Sequence, residues 1–91
     1  MIFEWDERKR RENRRKHGLD FADCAALFEG PIITWPDDRF AYGELRLQAF
    51  GLLHRRVVVV AFVEQDEWIR VISMRKANRH EKARYLEEIQ D

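Results

Sequence analysis

The hydrophobic pattern of this chain changes period along its length. Ile2 to Trp5 reads as a short strand, after which Asp6 to His17 contains no aliphatic or aromatic residue. Asp6 is a good N-cap for a helix over that polar run, Glu7 suits its first turn, and Gly18 suits its end. Asp20 is placed as a second N-cap, and Phe21, Cys24, Ala25 and Phe28 then fall at i, i+3, i+4 and i+7. That spacing predicts an amphipathic helix stopped by Gly30 and Pro31. Thereafter the period is 2, or the run is continuously β-branched. Strands are expected at Ile32–Trp35, Glu44–Leu53, Arg56–Glu64 and Glu67–Met74, with a turn at Pro36–Arg39. Val57 to Val63 has no polar member, so it should be a central strand buried on both faces. Strict alternation puts Trp68, Arg70, Ile72 and Met74 on one face of the last strand, and Ile69, Val71, Ser73 and Arg75 on the other. Asn78 and Glu81 have the spacing of a capping box for a last helix, whose stripe is Tyr85, Leu86 and Ile89. The expected fold is a single α+β domain over residues 1–91. It has an N-terminal strand and two helices on a mainly antiparallel sheet of about four strands, then a C-terminal helix.

Charge changes this picture more than composition does. The net charge is zero, yet Arg8 to His17 holds seven cations against Glu12 alone, a net +6. Asp20 to Glu44 sums to −5 and Arg70 to Arg84 to +5. If the two basic segments meet in the fold, a neutral protein carries a basic patch suited to nucleic acid. A helix without an apolar stripe gains little from packing, so the first helix is expected to bind something anionic. The alternative is a solvated helix held by local pairs such as Glu7 with Arg11 and Glu12 with Lys16.

Spacing narrows the candidates. Lys9, Asn13, Lys16 and His17 stand at i, i+4, i+7 and i+8, on one helix face, where they could meet a phosphate, a base edge and a transferable proton. Arg70 and Arg75 lie among apolar strand neighbours, where an arginine usually has a fixed partner, either a carboxylate or a phosphate. Arg75, Lys76, Arg79 and His80 cluster where the last strand feeds the last helix, whose N–H groups would add positive potential. His54 is expected in an exposed turn. Cys24 is the only cysteine, so no internal disulfide is possible, and its neighbours suggest a buried, inert thiol. The histidines are far apart and no metal-binding, phosphate-loop or acyl-transfer motif occurs, so no metal or cofactor is expected. The longest apolar run is too short to span a bilayer and no signal peptide is visible, so a soluble, cytoplasmic protein without membrane contact is expected.

Taken in order, Trp5-Asp6, Lys9, Asn13, Lys16-His17-Gly18, Phe21, Gly43-Glu44, Arg46, Arg70 to Ala77, Glu81 and Tyr85 resemble the BrnT toxin family nearly end to end. The resemblance implies a fold similar to RelE-type ribonuclease toxins. It also implies RNA cleavage that inhibits growth, and neutralisation by a BrnA-like ribbon-helix-helix antitoxin through which operator DNA is bound. Lys9, Asn13, Lys16 and His17 match the family's first motif, and Arg70, Ser73, Arg75 and Tyr85 its second. A metal-independent endoribonuclease is the expectation: Arg70, Arg75 and Arg79 stabilise the phosphate, His17 or Tyr85 transfers protons, and Lys9, Asn13, Lys16 and Ser73 contact RNA. Leu53 to Arg56 departs from the family's more glycine-containing hairpin, so a changed loop is expected there. A non-catalytic nucleic-acid-binding module and a protein-interaction subunit remain the alternatives for the same basic surface.

Overall fold

The computed structural model describes residues 1–37 and 45–90. The elements are β1 (Ile2–Glu4), α1 (Glu7–His17), a 3₁₀ turn (Phe21–Asp23), α2 (Cys24–Glu29), β2 (Ile33–Pro36), β3 (Arg46–Leu53), β4 (Arg56–Gln65), β5 (Trp68–Lys76) and α3 (Arg79–Ile89). The turn expected beyond Asp37, the start of a strand at Glu44 and the motif residues Gly43-Glu44 lie outside the described residues. The rest of the expected order is observed, as a mixed α+β fold whose sheet has five strands because β1 joins it.

Strand order is β1-β5-β4-β3-β2; β1 runs parallel to β5 and every other pair is antiparallel. Central β4 is buried from Val57 to Val63, as its unbroken apolar run requires. Val58, Val60 and Phe62 face one layer with Phe21, Cys24, Leu27, Ile69, Val71 and Met74. Val57 and Val59 face a smaller cluster with Phe50 and Tyr85, which Ile33, Trp35 and Ala77 border. Each fully buried side chain of this size contributes about 1.5–3 kcal/mol, so the valine run is the main anchor of the sheet. The α2 face differs from the expected one. Leu27 is buried and Ala25 is exposed, because the segment opens with a 3₁₀ turn of three residues that rotates the apolar stripe. Of the last helix's stripe only Tyr85 is buried; Leu86 and Ile89 stay exposed.

The caps expected from local sequence are formed. The Asp6 carboxylate accepts from the N–H groups of Arg8 and Lys9, and Gly18 ends α1 at φ 69°. Asn78 and Glu81 make a reciprocal capping box on α3. The β3–β4 hairpin turns through only His54 and Arg55, both at positive φ, 52° and 66°. This matches a turn that normally favours Asn-Gly. Cys24 is fully buried with its thiol 3.6 Å from the Met74 sulfur. Desolvation pushes its pKa up to about 12, which makes it the inert thiol expected. Among the described residues no helix is long and apolar enough to cross a membrane.

One irregularity interrupts β5. Ala61 pairs with Ser73 but its neighbour Phe62 pairs with Val71, so Ile72 is an extra residue, a β-bulge. Strict alternation therefore fails after Val71. Met74 joins Ile69 and Val71 in the larger core, whereas Arg70, Ser73 and Arg75 pair with Val63, Ala61 and Val59 on the opposite side. The expectation that Arg70 and Arg75 lie on opposite faces is corrected by this single inserted residue.

Candidate nucleic-acid interface

Helix α1 lies along the outer edge of β5, past the point where β1 stops pairing at Arg70. Asn13 is its one buried residue, so apolar packing does not hold it there. Hydrogen bonds from the side chains of Asn13, Arg10 and Trp5 do. The Asn13 side chain accepts from the Met74 N–H at 3.1 Å and donates to the Leu19 carbonyl at 3.3 Å. Arg10 grips Asp20 through Nε and Nη2, at 2.7 and 3.2 Å, and also reaches Glu7. The Trp5 indole donates to Glu7 at 3.0 Å and packs edge-on against Phe21. The Arg10 guanidinium, with help from the Ala22 N–H, lowers the Asp20 pKa to about 2. The local pair on α1 is therefore Glu7 with Arg10, and Arg10 is committed to holding the helix in place.

Between α1 and β5 runs a groove of about 650 Å³ lined by Asp6, Arg8, Lys9, Glu12, Asn13, Lys16, His17, Ile72 and Ser73. All four residues singled out by helix spacing reach it, and the bulge brings Ser73 to them from β5. A second depression, of about 290 Å³, shares Asp6, Lys9 and Ile72 with the first and adds Arg46, Arg70 and Val71. Lys9 is thus the joint between the α1 groove and the two sheet arginines. Sequence reasoning gave Arg46 no role. Its signal was an arginine at the start of a mostly apolar strand, in one of the motifs that carried the family resemblance.

Three expected site residues have other tasks. Asn13 spends one donor and one acceptor of its amide on the backbone, and so fastens α1. Tyr85 is fully buried, and its hydroxyl donates to the Pro31 carbonyl at 2.6 Å. Desolvation raises its pKa, and it lines neither the α1–β5 groove nor the adjoining depression. Arg75 forms a two-point ion pair with Glu81, at 2.7 and 2.9 Å, and Glu81 also accepts from the Asn78 N–H. The anion at the start of α3 is therefore the protein's own carboxylate. Arg79 is exposed in the first turn of α3 and lines neither depression. From β5, Ser73 reaches the α1 groove and Arg70 the adjoining depression, whereas Arg75 and Arg79 line neither.

Chemically, Arg8, Lys9 and Lys16 outnumber the acids Asp6 and Glu12 in the groove, Arg46 and Arg70 extend the positive side, and His17 supplies an imidazole. Such a surface suits a single-stranded polyanion, with ammonium groups for phosphates and a planar guanidinium fork for two phosphate oxygens at once. The fold and groove together define a small α+β domain with a cation-rich groove at a helix–sheet junction. Residues 5–81 match the model of the family described as ribonuclease toxin, BrnT, of type II toxin-antitoxin system, and the chain belongs to that family. No curated protein matches the chain significantly. Membership makes it a ribonuclease toxin of a type II system, with RNA as substrate and an antitoxin as partner.

Proposed function

We propose that the chain is a metal-independent endoribonuclease whose site is the α1–β5 groove. The observation that supports this best is the bulge at Ile72, with Ser73 in the same groove as Lys9, Lys16 and His17 and Arg70 in the adjoining depression. In the reaction the neutral His17 imidazole takes the proton of a ribose 2′-OH. The 2′ oxygen bonds to the adjacent phosphorus, the P–O5′ bond breaks, and the leaving oxygen is protonated from the Lys9 ammonium. The products are a 2′,3′-cyclic phosphate and a 5′-hydroxyl, and no further reactant is needed. Arg70, with Arg46, stabilises the charge gathered on the phosphorane oxygens, while Lys16 and Ser73 hold the flanking backbone. Arg75 acts indirectly, by tying α3 to β5 through Glu81.

The test is cleavage of single-stranded RNA in EDTA, with end-group analysis of the products. Wild type should cut, and His17→Ala and Arg70→Ala should each lower kcat/KM by about 10²–10⁴. Loss of cleavage in EDTA, or normal cutting by both variants, overturns the mechanism. The proposal extends to growth inhibition and to a ribbon-helix-helix antitoxin that links the complex to operator DNA; what supports both is the resemblance to the family. Expression of wild type without a partner should arrest growth and His17→Ala should not. A ribbon-helix-helix protein encoded in the adjacent reading frame should relieve the arrest.

A further inference from the structure

Trp68 opens β5 and is 45% exposed, although a tryptophan gains more than almost any side chain from burial. It borders a separate depression of about 340 Å³ formed with Glu4, Val63, Gln65, Asp66 and Arg70. Arg70 belongs both to this depression and to the one that leads through Lys9 into the α1 groove. The three hollows therefore follow one another as a track of adjoining depressions, with Arg70 as the wall shared by the second and third. Trp68 and Arg70 are two residues apart on the same side of β5, about 7 Å along the strand, which is within reach of a nucleobase from its own or the adjoining phosphate. The β1–β5 register places Glu4 beside Arg70, and the β4–β5 register places Gln65 beside Trp68.

We infer that this end of the track is a nucleobase subsite. It rests on the ribonuclease reading above. One base of the bound strand stacks on the Trp68 indole while Arg70 engages a phosphate next to it. Two carboxylates and an amide rim the indole, and this composition suits a base rather than a phosphate. Glu4 and Asp66 repel phosphate, but they accept hydrogen bonds from the N–H groups of a Watson–Crick edge. Guanine presents two adjacent N–H donors to one carboxylate and uracil presents one. The subsite therefore favours guanine over uracil. A protein segment would use an exposed tryptophan as an apolar anchor, but the polar rim and the continuity with Arg70 favour a nucleotide.

The test uses short single-stranded RNA carrying 2′-O-methyl groups, which removes the attacking hydroxyl and leaves binding measurable. Stacking on an aromatic side chain is worth about 1–3 kcal/mol per base, so Trp68→Ala should weaken binding about 5–150-fold, and Trp68→Phe should restore part of the loss. An abasic residue scanned along the strand should weaken wild type by the same factor at one position. At that position Trp68→Ala should add nothing. Glu4→Gln with Asp66→Asn should flatten the preference for guanine over uracil there and leave affinity for the abasic strand unchanged. Equal binding by wild type and Trp68→Ala, with RNA cleavage intact, overturns the subsite and leaves the ribonuclease reading standing. Failure of wild type to bind any strand overturns both. If Trp68→Ala weakens antitoxin binding but not RNA binding, the depression is a protein-docking surface and the inference is wrong.

Discussion

Replacing Asn13 by Ala separates attachment of helix α1 from its proposed contact with RNA. The Asn13 side chain is 8% exposed and holds two backbone groups, the Met74 N–H and the Leu19 carbonyl. Truncation leaves both without their partner, at about 1–3 kcal/mol for each buried group. Water can enter from the adjoining groove, so a total of about 2–4 kcal/mol is expected, near the lower end of that sum. For a chain of this length the whole folding free energy is roughly 5–13 kcal/mol. The variant should still fold but melt on the order of 10–20 °C below wild type. Lys9→Ala is the opposite case. Its side chain is exposed, so stability should move by no more than about 0.5 kcal/mol. RNA affinity should fall, and the log–log salt slope should become shallower by about 0.7, the share of one phosphate that a single cation neutralises on a single strand. Thermal melts and salt-titrated binding on both variants decide the matter. If Asn13→Ala melts with wild type while losing RNA affinity, the side chain reads the nucleic acid, and the reasoning from its buried hydrogen bonds is refuted.

Three further outcomes rest on named contacts. The Asp20 pKa is depressed in the folded state, from an ordinary 3.8 to about 2. Its ion pair with Arg10, worth about 1 kcal/mol after solvent screening, is therefore present above pH 4 and lost as pH falls through 2. Asp20→Asn should remove that part of the stability slope in acid denaturation; an unchanged slope rejects the assignment. His54 and Arg55 each adopt a left-handed conformation that non-glycine residues resist, so His54→Asn with Arg55→Gly should raise stability by about 1 kcal/mol in a urea titration. No gain would show that the turn is unstrained. A methyl added at Gly51 would lie 2.8 Å from Leu27 Cδ2 and 3.1 Å from Ile32 Cγ2. Leu27 is fully buried and cannot swing away, so Gly51→Ala should cost about 1–3 kcal/mol, and a neutral melt would refute the close packing of α2 on β3.

What could be read from the sequence was what short-range physics decides. Asp6, Gly18, Asn78 and Glu81 act within four residues of their partners, so caps and helix limits were legible. The Val57–Val63 run has no polar side to turn outward, so its central place in the sheet was legible too. Features set by distant partners were not. Ile72 is a β-branched residue in a β-branched strand, and its pattern carries no mark of an extra residue. Asn13 shares a helix face with Lys9 and Lys16, and only the position of Met74, sixty-one residues later, shows that its amide is used internally. Tyr85 fell in a motif of the resemblance, but its hydroxyl meets Pro31 across fifty-four residues. The charged face of α1 was visible, whereas the way it is attached was not.

The bulge at Ile72 ties these long-range features to the proposed site. With strict alternation in β5, Met74 would leave the core or Arg70 would leave the side that carries Ser73; both cannot be satisfied together. Ile72 resets the alternation between them. Val71 and Met74 then both point inward, where Met74 meets Cys24, while Arg70, Ser73 and Arg75 share the other side. The same shift leaves the Met74 N–H facing outward at the unpaired edge, and the amide of Asn13 satisfies it. The hydrogen bond that docks the basic helix is thus made next to the irregularity that puts Arg70 and Ser73 on one side of the strand. This also explains how α1, with no apolar stripe, holds its cations against the sheet. It is fastened at its buried asparagine, braced by Arg10 on Asp20, and leaves Lys9, Lys16 and His17 turned toward the groove.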